Sequence, residues 1–105
     1  MDSSEINEIE ENISIAARLL KSLSNEKRLL IVCTLFKGEK SVGELEQIVE
    51  LSQSALSQHL ARLRKDKIVN TRREAQTIYY SLHNNAANRV LECLYTIYCS
   101  EMCEE

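Results

Sequence analysis

The feature that most restricts the fold of this chain is the near absence of residues that interrupt helices. Proline is missing from all 105 residues, and glycine occurs only at Gly38 and Gly43. Glycine and proline end helices and shape the tight turns of β-rich folds. The sequence therefore predicts a mainly helical fold, and it argues against a β-sandwich, a β-barrel and a glycine-rich loop that cradles phosphate.

Apolar residues recur at spacings of three and four along much of the chain, which indicates amphipathic helices. The first helix is predicted over about residues 5–22, and its narrow apolar seam consists of Ile6, Ile9, Ile13, Ala16, Leu20 and Leu23. A second helix follows, with Ser24 as its N-cap and Gly38 as its end. The last helix is predicted over about residues 84–101 and carries a second apolar seam.

A helix-turn-helix is predicted between these elements, over about residues 41–66. Its first helix opens with the segment Ser41–Glu44, a capping box in which serine accepts from a first-turn amide and glutamate reaches back. Its longer second helix is capped by Ser52. Two strands over about residues 68–82 then form a β-hairpin, with residues 73–76 as its polar tip.

The charge of the chain is unevenly distributed, although the formal net charge is −3. Both ends are acidic, whereas residues 52–76 contain more basic than acidic side chains. Salt screens charges over roughly 10 Å, so attraction to phosphate is local and an acidic protein can bind nucleic acid through one basic region. From charge alone, a solvated helix face explains the same region equally well.

The outward side chains of the second helix favour DNA binding over a solvated surface. Small and amide side chains let a helix approach base edges, and glutamine can pair with adenine. Serine, arginine and a helix N-terminus suit phosphate, whereas a surface helix that serves only stability prefers Glu, Lys and Ala. The predicted DNA contacts on this helix and on the hairpin are Gln53, Ser54, Ser57, Gln58, His59, Arg62, Arg64, Arg72, Arg73 and Gln76.

Residues 51–64, LSQSALSQHLARLR, and residues 69–80, VNTRREAQTIYY, resemble the winged-helix repressors of the ArsR (ArsR/SmtB) family. Residues 23–30, LSNEKRLL, resemble the opening of that family's second helix, so the resemblance spans nearly the whole chain. It implies a single winged-helix domain over residues 1–105, mainly α with a β-hairpin wing. It also implies a repressor that binds double-stranded operator DNA and releases it when an inducer binds.

A homodimer through the first and last helices is expected for two reasons. The resemblance implies a dimer whose recognition helices enter successive major grooves of a palindromic operator. Independently, the terminal helices carry more apolar surface than the core of a chain of 105 residues can cover.

The metal sites known in that family are not expected here. One needs two cysteines at the start of the third helix, where this chain has Ser41 and Gly43. The other needs Asp, His and Glu on the last helix, which here opens with the potential capping residues Asn84 and Asn85 and has no histidine. We interpret His83 as a hydrogen-bonded turn residue. No metal and no other cofactor is predicted.

The cysteines suggest a different inducer. We expect a cytoplasmic protein, because no signal peptide or membrane span is evident, and cysteines there are mostly thiols. By position alone, Cys33 is interpreted as a small buried apolar residue. The family resemblance, however, includes a subgroup with one cysteine on the second helix and one late on the last. It implies that oxidants or reactive sulfur species link Cys33 and Cys99 through a disulfide or polysulfide bridge, which weakens operator binding.

Two alternatives remain open. Cys99 and Cys103 lie one helical turn apart and, with Cys33 or Cys93, could bind arsenite or another soft ion, although a packed Cys93 and a tail thiol at Cys103 is the simpler interpretation. A protein-interaction module would instead bind a partner through its helical seams, without DNA. Enzymatic activity is not expected, because no Ser-His-Asp spacing, catalytic carboxylate pair or phosphate loop is evident.

Overall fold

The computed structural model describes residues 2–83 and 85–99 and places the predicted elements in the predicted order. The helices are α1 (Ser3–Leu23), α2 (Glu26–Phe36), α3 (Val42–Val49), α4 (Gln53–Lys65) and α5 (Asn85–Tyr98). The strands are β1 (Lys40–Ser41), β2 (Val69–Glu74) and β3 (Thr77–Leu82). Within these described ranges, no helix combines the length and the apolarity needed to cross a membrane.

The N-cap of α2 is Asn25, so the prediction of Ser24 was wrong. The Asn25 side-chain oxygen accepts from the amides of Lys27 and Arg28, at 3.0 Å each. The hydroxyl of Ser24 instead donates to the carbonyl oxygen of Lys21 at 3.1 Å, where it closes α1. A serine hydroxyl can donate as well as accept, whereas the amide oxygen one position later lies within reach of two free N–H groups.

The predicted start signals of α3 and α4 are confirmed. The hydroxyl of Ser41 accepts from the amide of Glu44 at 3.2 Å, and a carboxylate oxygen of Glu44 accepts from the amide of Ser41 at 3.0 Å. Ser52 caps α4 by accepting from the amide of Ala55 at 3.2 Å. Between the helices, Glu50 adopts a left-handed φ of 49°, which ends α3 and turns the chain toward α4.

The end of α4 is closed by a Schellman motif. The amide of Ile68 donates to the carbonyl of Leu63 at 2.9 Å, and the amide of Lys67 donates to that of Arg64 at 3.0 Å. Lys67 takes the left-handed φ of 58° that the motif requires. Leu63 and Ile68 are both buried, which provides the accompanying apolar contact. The motif thereby sets the direction in which the chain leaves α4 and enters the sheet.

The hairpin between β2 and β3 is tighter than predicted. Its ladder runs to the pair Glu74 and Thr77, so only Ala75 and Gln76 form the turn. Arg73, which was expected at the tip, therefore lies within the paired strand. Ala75 adopts a φ of 57°, a conformation that costs a non-glycine residue roughly 1–2 kcal/mol.

A third strand, β1, completes the sheet in the order β1-β3-β2. Lys40 pairs with Tyr80 and Ser41 pairs with Tyr79, both antiparallel. This strand was not predicted, because two residues are too short for alternation to show in a sequence. It matters for the site because it ties the start of α3 to the hairpin.

The apolar core lies where α2 meets α3, α4, α5 and the sheet. Its buried residues are Leu23, Ile31, Val32, Leu35, Leu45, Val49, Leu56, Leu60, Leu63, Ile68, Val69, Ala87 and Leu91. On α1, only Ser22 and Leu23 are buried. Most of the apolar seam predicted on α1 is therefore exposed in the single chain.

Candidate nucleic-acid interface

Helix α4 is two-sided. It buries Leu56, Leu60 and Leu63 against the core and exposes the opposite, polar side. The predicted DNA contacts that the structure exposes on α4 are Gln53, Ser54, Ser57, Gln58, Arg62 and Arg64. His59, the remaining predicted contact on this helix, is half-buried. Because the core holds the apolar side, the polar side can approach a duplex without disturbing the fold.

The hairpin extends this surface on one flank of α4. A groove of about 520 Å³ separates the two, and it is lined by Val42, Ser57, Leu60, Ala61, Arg64, Lys65, Ile78 and Tyr80. Beyond it, Arg73 and Gln76 are exposed near the hairpin tip. The helix and the hairpin thus present polar and basic groups side by side, as a winged helix requires.

Arg62 lies on the opposite flank of α4, next to α1. Its Nε donates to Oδ2 of Asp66 at 2.9 Å. Burial alone would raise the pKa of Asp66, but the hydrogen bond from Arg62 and the charges of Arg62 and Arg18 hold it below its usual value. Part of the Arg62 guanidinium is therefore occupied within the protein.

Two basic residues of α1 join this flank, and sequence reasoning missed them. A groove of about 520 Å³ between α1 and α4 is lined by Ser14, Ala17, Arg18, Lys21, Arg62, Lys65 and Asp66. Arg18 and Lys21 thus extend the basic region of α4 onto α1. They are distant from that region in the sequence, and only the packing of the two helices brings them together.

Arg72 is engaged within the protein rather than extended from it. Its guanidinium donates to the carboxylates of Glu39 and Glu74 and lies over the ring of Tyr79. Arg73, the next residue, is exposed. The two neighbouring arginines of β2, both predicted to contact DNA, therefore occupy different environments.

The two histidines also differ. Burial lowers the pKa of His59, and the positive charge of Arg28 lowers it further. His83 is held at the end of the hairpin, where Nδ2 of Asn70 donates to its Nδ1 at 2.9 Å. Its amide also donates to the carbonyl of Ile68 at 2.9 Å. The prediction that His83 is hydrogen-bonded is confirmed, although the residue directly follows β3 rather than lying in a turn.

The structure brings Cys33 of α2 and Cys99, just after α5, into the same neighbourhood. Both are half-buried free thiols, whereas the free thiol of Cys93 is exposed. Burial raises the pKa of Cys33, and the nearby Cys99 raises it further. Cys103, which belongs to the soft-ion alternative, lies outside the described residues.

Tyr95 connects the two helices beside these cysteines. Its ring stacks on Phe36 with the centroids 5.1 Å apart, and Nζ of Lys37 lies 4.6 Å from its centroid. Its hydroxyl donates to the carbonyl oxygen of Cys33 at 3.3 Å. Among residues 2–83 and 85–99, no three His, Cys, Asp or Glu side chains are grouped so that they could hold a metal ion.

Comparison with known proteins agrees with this geometry. Residues 25–71 match the model of the family described as bacterial regulatory protein, arsR family. The chain is 52% identical over 94 residues to the transcriptional activator HlyU of Vibrio cholerae serotype O1, covering 90% of this chain and 87% of that protein. It is 46% identical over 94 residues to the biofilm growth-associated repressor of Xylella fastidiosa, covering 90% of this chain and 82% of that protein.

The similarity extends to the fold. The structure of reduced HlyU from Vibrio cholerae N16961 matches with a TM-score of 0.85 and 53% sequence identity, covering 89% of this chain and 98% of that chain. The family match over residues 25–71 includes the whole of α4. This winged-helix chain therefore belongs to the arsR family of bacterial regulatory proteins and is a DNA-binding transcriptional regulator, not an enzyme.

Proposed function

We propose that this regulator is a repressor that binds a palindromic operator as a homodimer, with one α4 helix in each of two successive major grooves. The observation that carries the proposal is the polar side of α4, exposed along the helix and flanked by the hairpin. We assign base-edge contacts to Gln53, Ser54, Ser57 and Gln58, and phosphate contacts to His59, Arg62, Arg64, Arg73 and Gln76.

The dimer is supported by apolar surface that the single chain leaves in water. On α1, Ile13 is 55% exposed and Leu20 is 57% exposed. On α5, Ile97 is 61% exposed and Tyr98 is 77% exposed. Large apolar side chains in rows along two helices mark a protein interface, and a symmetric pair covers both rows at once. We therefore assign the dimer interface to α1 and α5.

We further propose that Cys33 and Cys99 switch operator affinity. Both are half-buried thiols, and Cys33 lies on α2 whereas Cys99 directly follows α5. Helix α2 packs against α4, whereas α5 belongs to the proposed dimer interface. The name of one solved relative, reduced HlyU, supports a redox role for these thiols.

The chemistry needs only the two thiols and a reagent from solution. With hydrogen peroxide, Cys33 and Cys99 together lose two electrons and two protons to form one S–S bond, while the peroxide becomes two water molecules. With a persulfide, one cysteine takes up the outer sulfur and the donor leaves as a thiol. Two-electron oxidation of that protein persulfide by peroxide, together with the second thiol, then gives a trisulfide.

A covalent link would act on DNA binding through the position of α4. It would fix α2, and with it α4, relative to the dimerising α5. Operator half-sites lie about 34–36 Å apart, so a small rotation of each unit moves both α4 helices out of register with the grooves. The link therefore weakens contacts on both half-sites together.

The test is fluorescence anisotropy with a labelled duplex that the reduced protein has selected from a random pool. We expect peroxide, alone or together with glutathione persulfide, to weaken binding by about tenfold or more. Dithiothreitol should reduce the disulfide bridge and restore the original affinity. Cys33→Ser and Cys99→Ser should each abolish the response, and intact mass should show the bridge only in the parent chain.

Cys93→Ser is the matched control, because it removes an exposed thiol of α5 and should respond as the parent chain does. A response that persists in both the Cys33 and the Cys99 variants would overturn the thiol switch. Release of the duplex by arsenite, with no effect of peroxide or persulfide, would instead identify a soft-ion regulator.

A further inference from the structure

Arg72 lies at the centre of a polar cluster on the wing, the hairpin of β2 and β3. Its Nε and Nη2 donate to the two carboxylate oxygens of Glu39, both at 2.8 Å, and its Nη1 donates to Glu74 at 2.7 Å. The guanidinium carbon lies 4.4 Å from the ring centroid of Tyr79. We call this set of four residues the wing clasp.

The clasp spans the full width of the sheet. Arg72 is on β2, its partner Tyr79 is on the central strand β3, and Glu39 directly precedes β1 on the far side. Ser41 of β1 also pairs with Tyr79, and the same serine caps α3. The clasp therefore connects the outer strand of the wing to the segment from which the helix-turn-helix begins.

The chemistry of the clasp suits a geometric role. A planar guanidinium that makes a paired contact with one carboxylate fixes direction as well as distance. The ring of Tyr79 covers one face of the guanidinium, which restricts it further. The hydrogen bond from Arg72, partly opposed by desolvation, holds the pKa of Glu39 below its usual value, so the acid stays ionised at neutral pH.

The same contacts make Arg72 a poor phosphate ligand. Its positive charge already faces the carboxylates of Glu39 and Glu74. A DNA phosphate would have to displace one of these carboxylates to bind Arg72. The side chain of Arg73, in contrast, is exposed and can reach a phosphate directly. Neutralisation of phosphates, which gives DNA binding its salt dependence, is thus expected from Arg73.

We propose that Arg72 is a positioning residue, which holds the wing at the correct angle to α4 through Glu39 and does not itself bind DNA. This inference rests on the proposed mode of DNA binding. It revises the expectation, drawn from the sequence, that both arginines of the wing contact the duplex.

The decisive variant is Glu39→Gln, because the two possible roles of Arg72 predict opposite signs. If Arg72 were a phosphate contact restrained by Glu39, removal of the acid would free it and strengthen binding. If Arg72 positions the wing, the same change weakens binding although it removes a negative charge. We expect a loss of about three- to fivefold, the scale of a well-formed ion pair near the surface.

Glu46→Gln on α3 is the matched control, since it removes the same charge without touching the clasp. It should leave affinity unchanged or raise it slightly. Arg72→Gln should weaken binding as much as Glu39→Gln, and the double variant should be no weaker than either single one, because all three lose the same contact.

The salt dependence gives a second, independent readout. Arg73→Gln should lower the slope of log affinity against log salt by about 0.9, whereas Arg72→Gln should leave that slope unchanged. Stronger binding of Glu39→Gln, or a reduced slope for Arg72→Gln, would overturn the positioning role. If the parent chain shows no salt-dependent binding to any selected duplex, the proposed mode of DNA binding fails first.

Discussion

The hydroxyl of Tyr95 donates to the backbone carbonyl of Cys33 over 3.3 Å, so the helix that carries one cysteine of the proposed switch is joined to α5, which directly precedes the other. The amide of Cys99 in turn donates to the carbonyl of Tyr95 at 2.8 Å. Tyr95 thereby fixes Cys99 to α5 and α5 to α2. The reactivity of the two thiols should consequently depend on a residue that has no redox chemistry here.

Tyr95→Phe tests this dependence, because it keeps the ring that stacks on Phe36 and removes the hydroxyl. We expect the free energy of unfolding to fall by about 1 kcal/mol, the usual value of one hydrogen bond. Bridge formation under peroxide should also slow, since the cysteines spend less time in contact. Urea denaturation and intact mass measure the two effects. Equal stability and equal bridging rates in both chains would show that the hydroxyl contributes nothing.

The Cys33 thiol should be a slow nucleophile at neutral pH. Burial raises its pKa and the adjacent Cys99 raises it further, and only the thiolate attacks. The rate of alkylation of Cys33, measured by peptide mass spectrometry, should therefore rise only at a higher pH than the alkylation rate of a fully exposed thiol does. In Cys99→Ser the profile should move to lower pH, but only partly, because burial remains. An unchanged profile would mean that the two thiols do not interact.

The dimer assignment predicts that a charge on the apolar row of α1 separates the protomers. Ile13→Glu places a carboxylate where we expect another copy of the chain, whereas the helix itself remains solvated and intact. Analytical ultracentrifugation should show a monomer at micromolar concentration, with far-ultraviolet circular dichroism close to that of the parent chain. Asn7→Glu, at another exposed position outside the apolar row, is the control and should remain dimeric. A monomeric parent chain would contradict the assignment.

The start of α2 offers a prediction that separates two adjacent polar residues. Asn25→Ala removes the acceptor for the amides of Lys27 and Arg28 and should destabilise the protein by about 1 kcal/mol. Ser24→Ala removes only an exposed hydrogen bond to Lys21 and should cost less than about 0.5 kcal/mol. Chemical denaturation of both variants measures the difference. The reverse order would mean that Ser24 is the functional cap.

These examples show which parts of the fold and of the site could be predicted from the sequence. The helix-turn-helix was predictable because its caps, at Ser41 and Ser52, and the two sides of α4 depend on residues a few positions apart. Local patterns were less reliable where two adjacent polar residues could each be the N-cap of a helix, as Ser24 and Asn25 could for α2.

Contacts between distant parts of the chain were not predictable from local sequence patterns. Arg72 and Glu39 are 33 residues apart, and nothing in either local sequence marks them as partners. Strand β1 exists only because Tyr79 and Tyr80 lie beside it, and Arg18 reaches the flank of α4 only through the packing of α1. The predicted contacts on α4 could be named residue by residue, whereas the role of Arg72 required the sheet.

His59 should make the stability of the protein depend on pH. Burial lowers its pKa, and the charge of Arg28 lowers it further, so the folded chain binds fewer protons than the unfolded chain just below the ordinary value of 6.5. Stability therefore rises with pH across this range and falls on acidification, because the unfolded state gains the proton first. Carboxylates with lowered pKa values, such as Asp66 and Glu39, titrate below their ordinary pKa values of 3.8 and 4.5. They therefore do not contribute to the pH dependence of stability near pH 6.5. Urea denaturation at intervals between about pH 5.5 and 7.5 should show the decline in the parent chain and a shallower one in His59→Gln. Identical slopes for the two chains would place the pH dependence elsewhere, and a stability that rose on acidification would contradict the effect of burial on this imidazole.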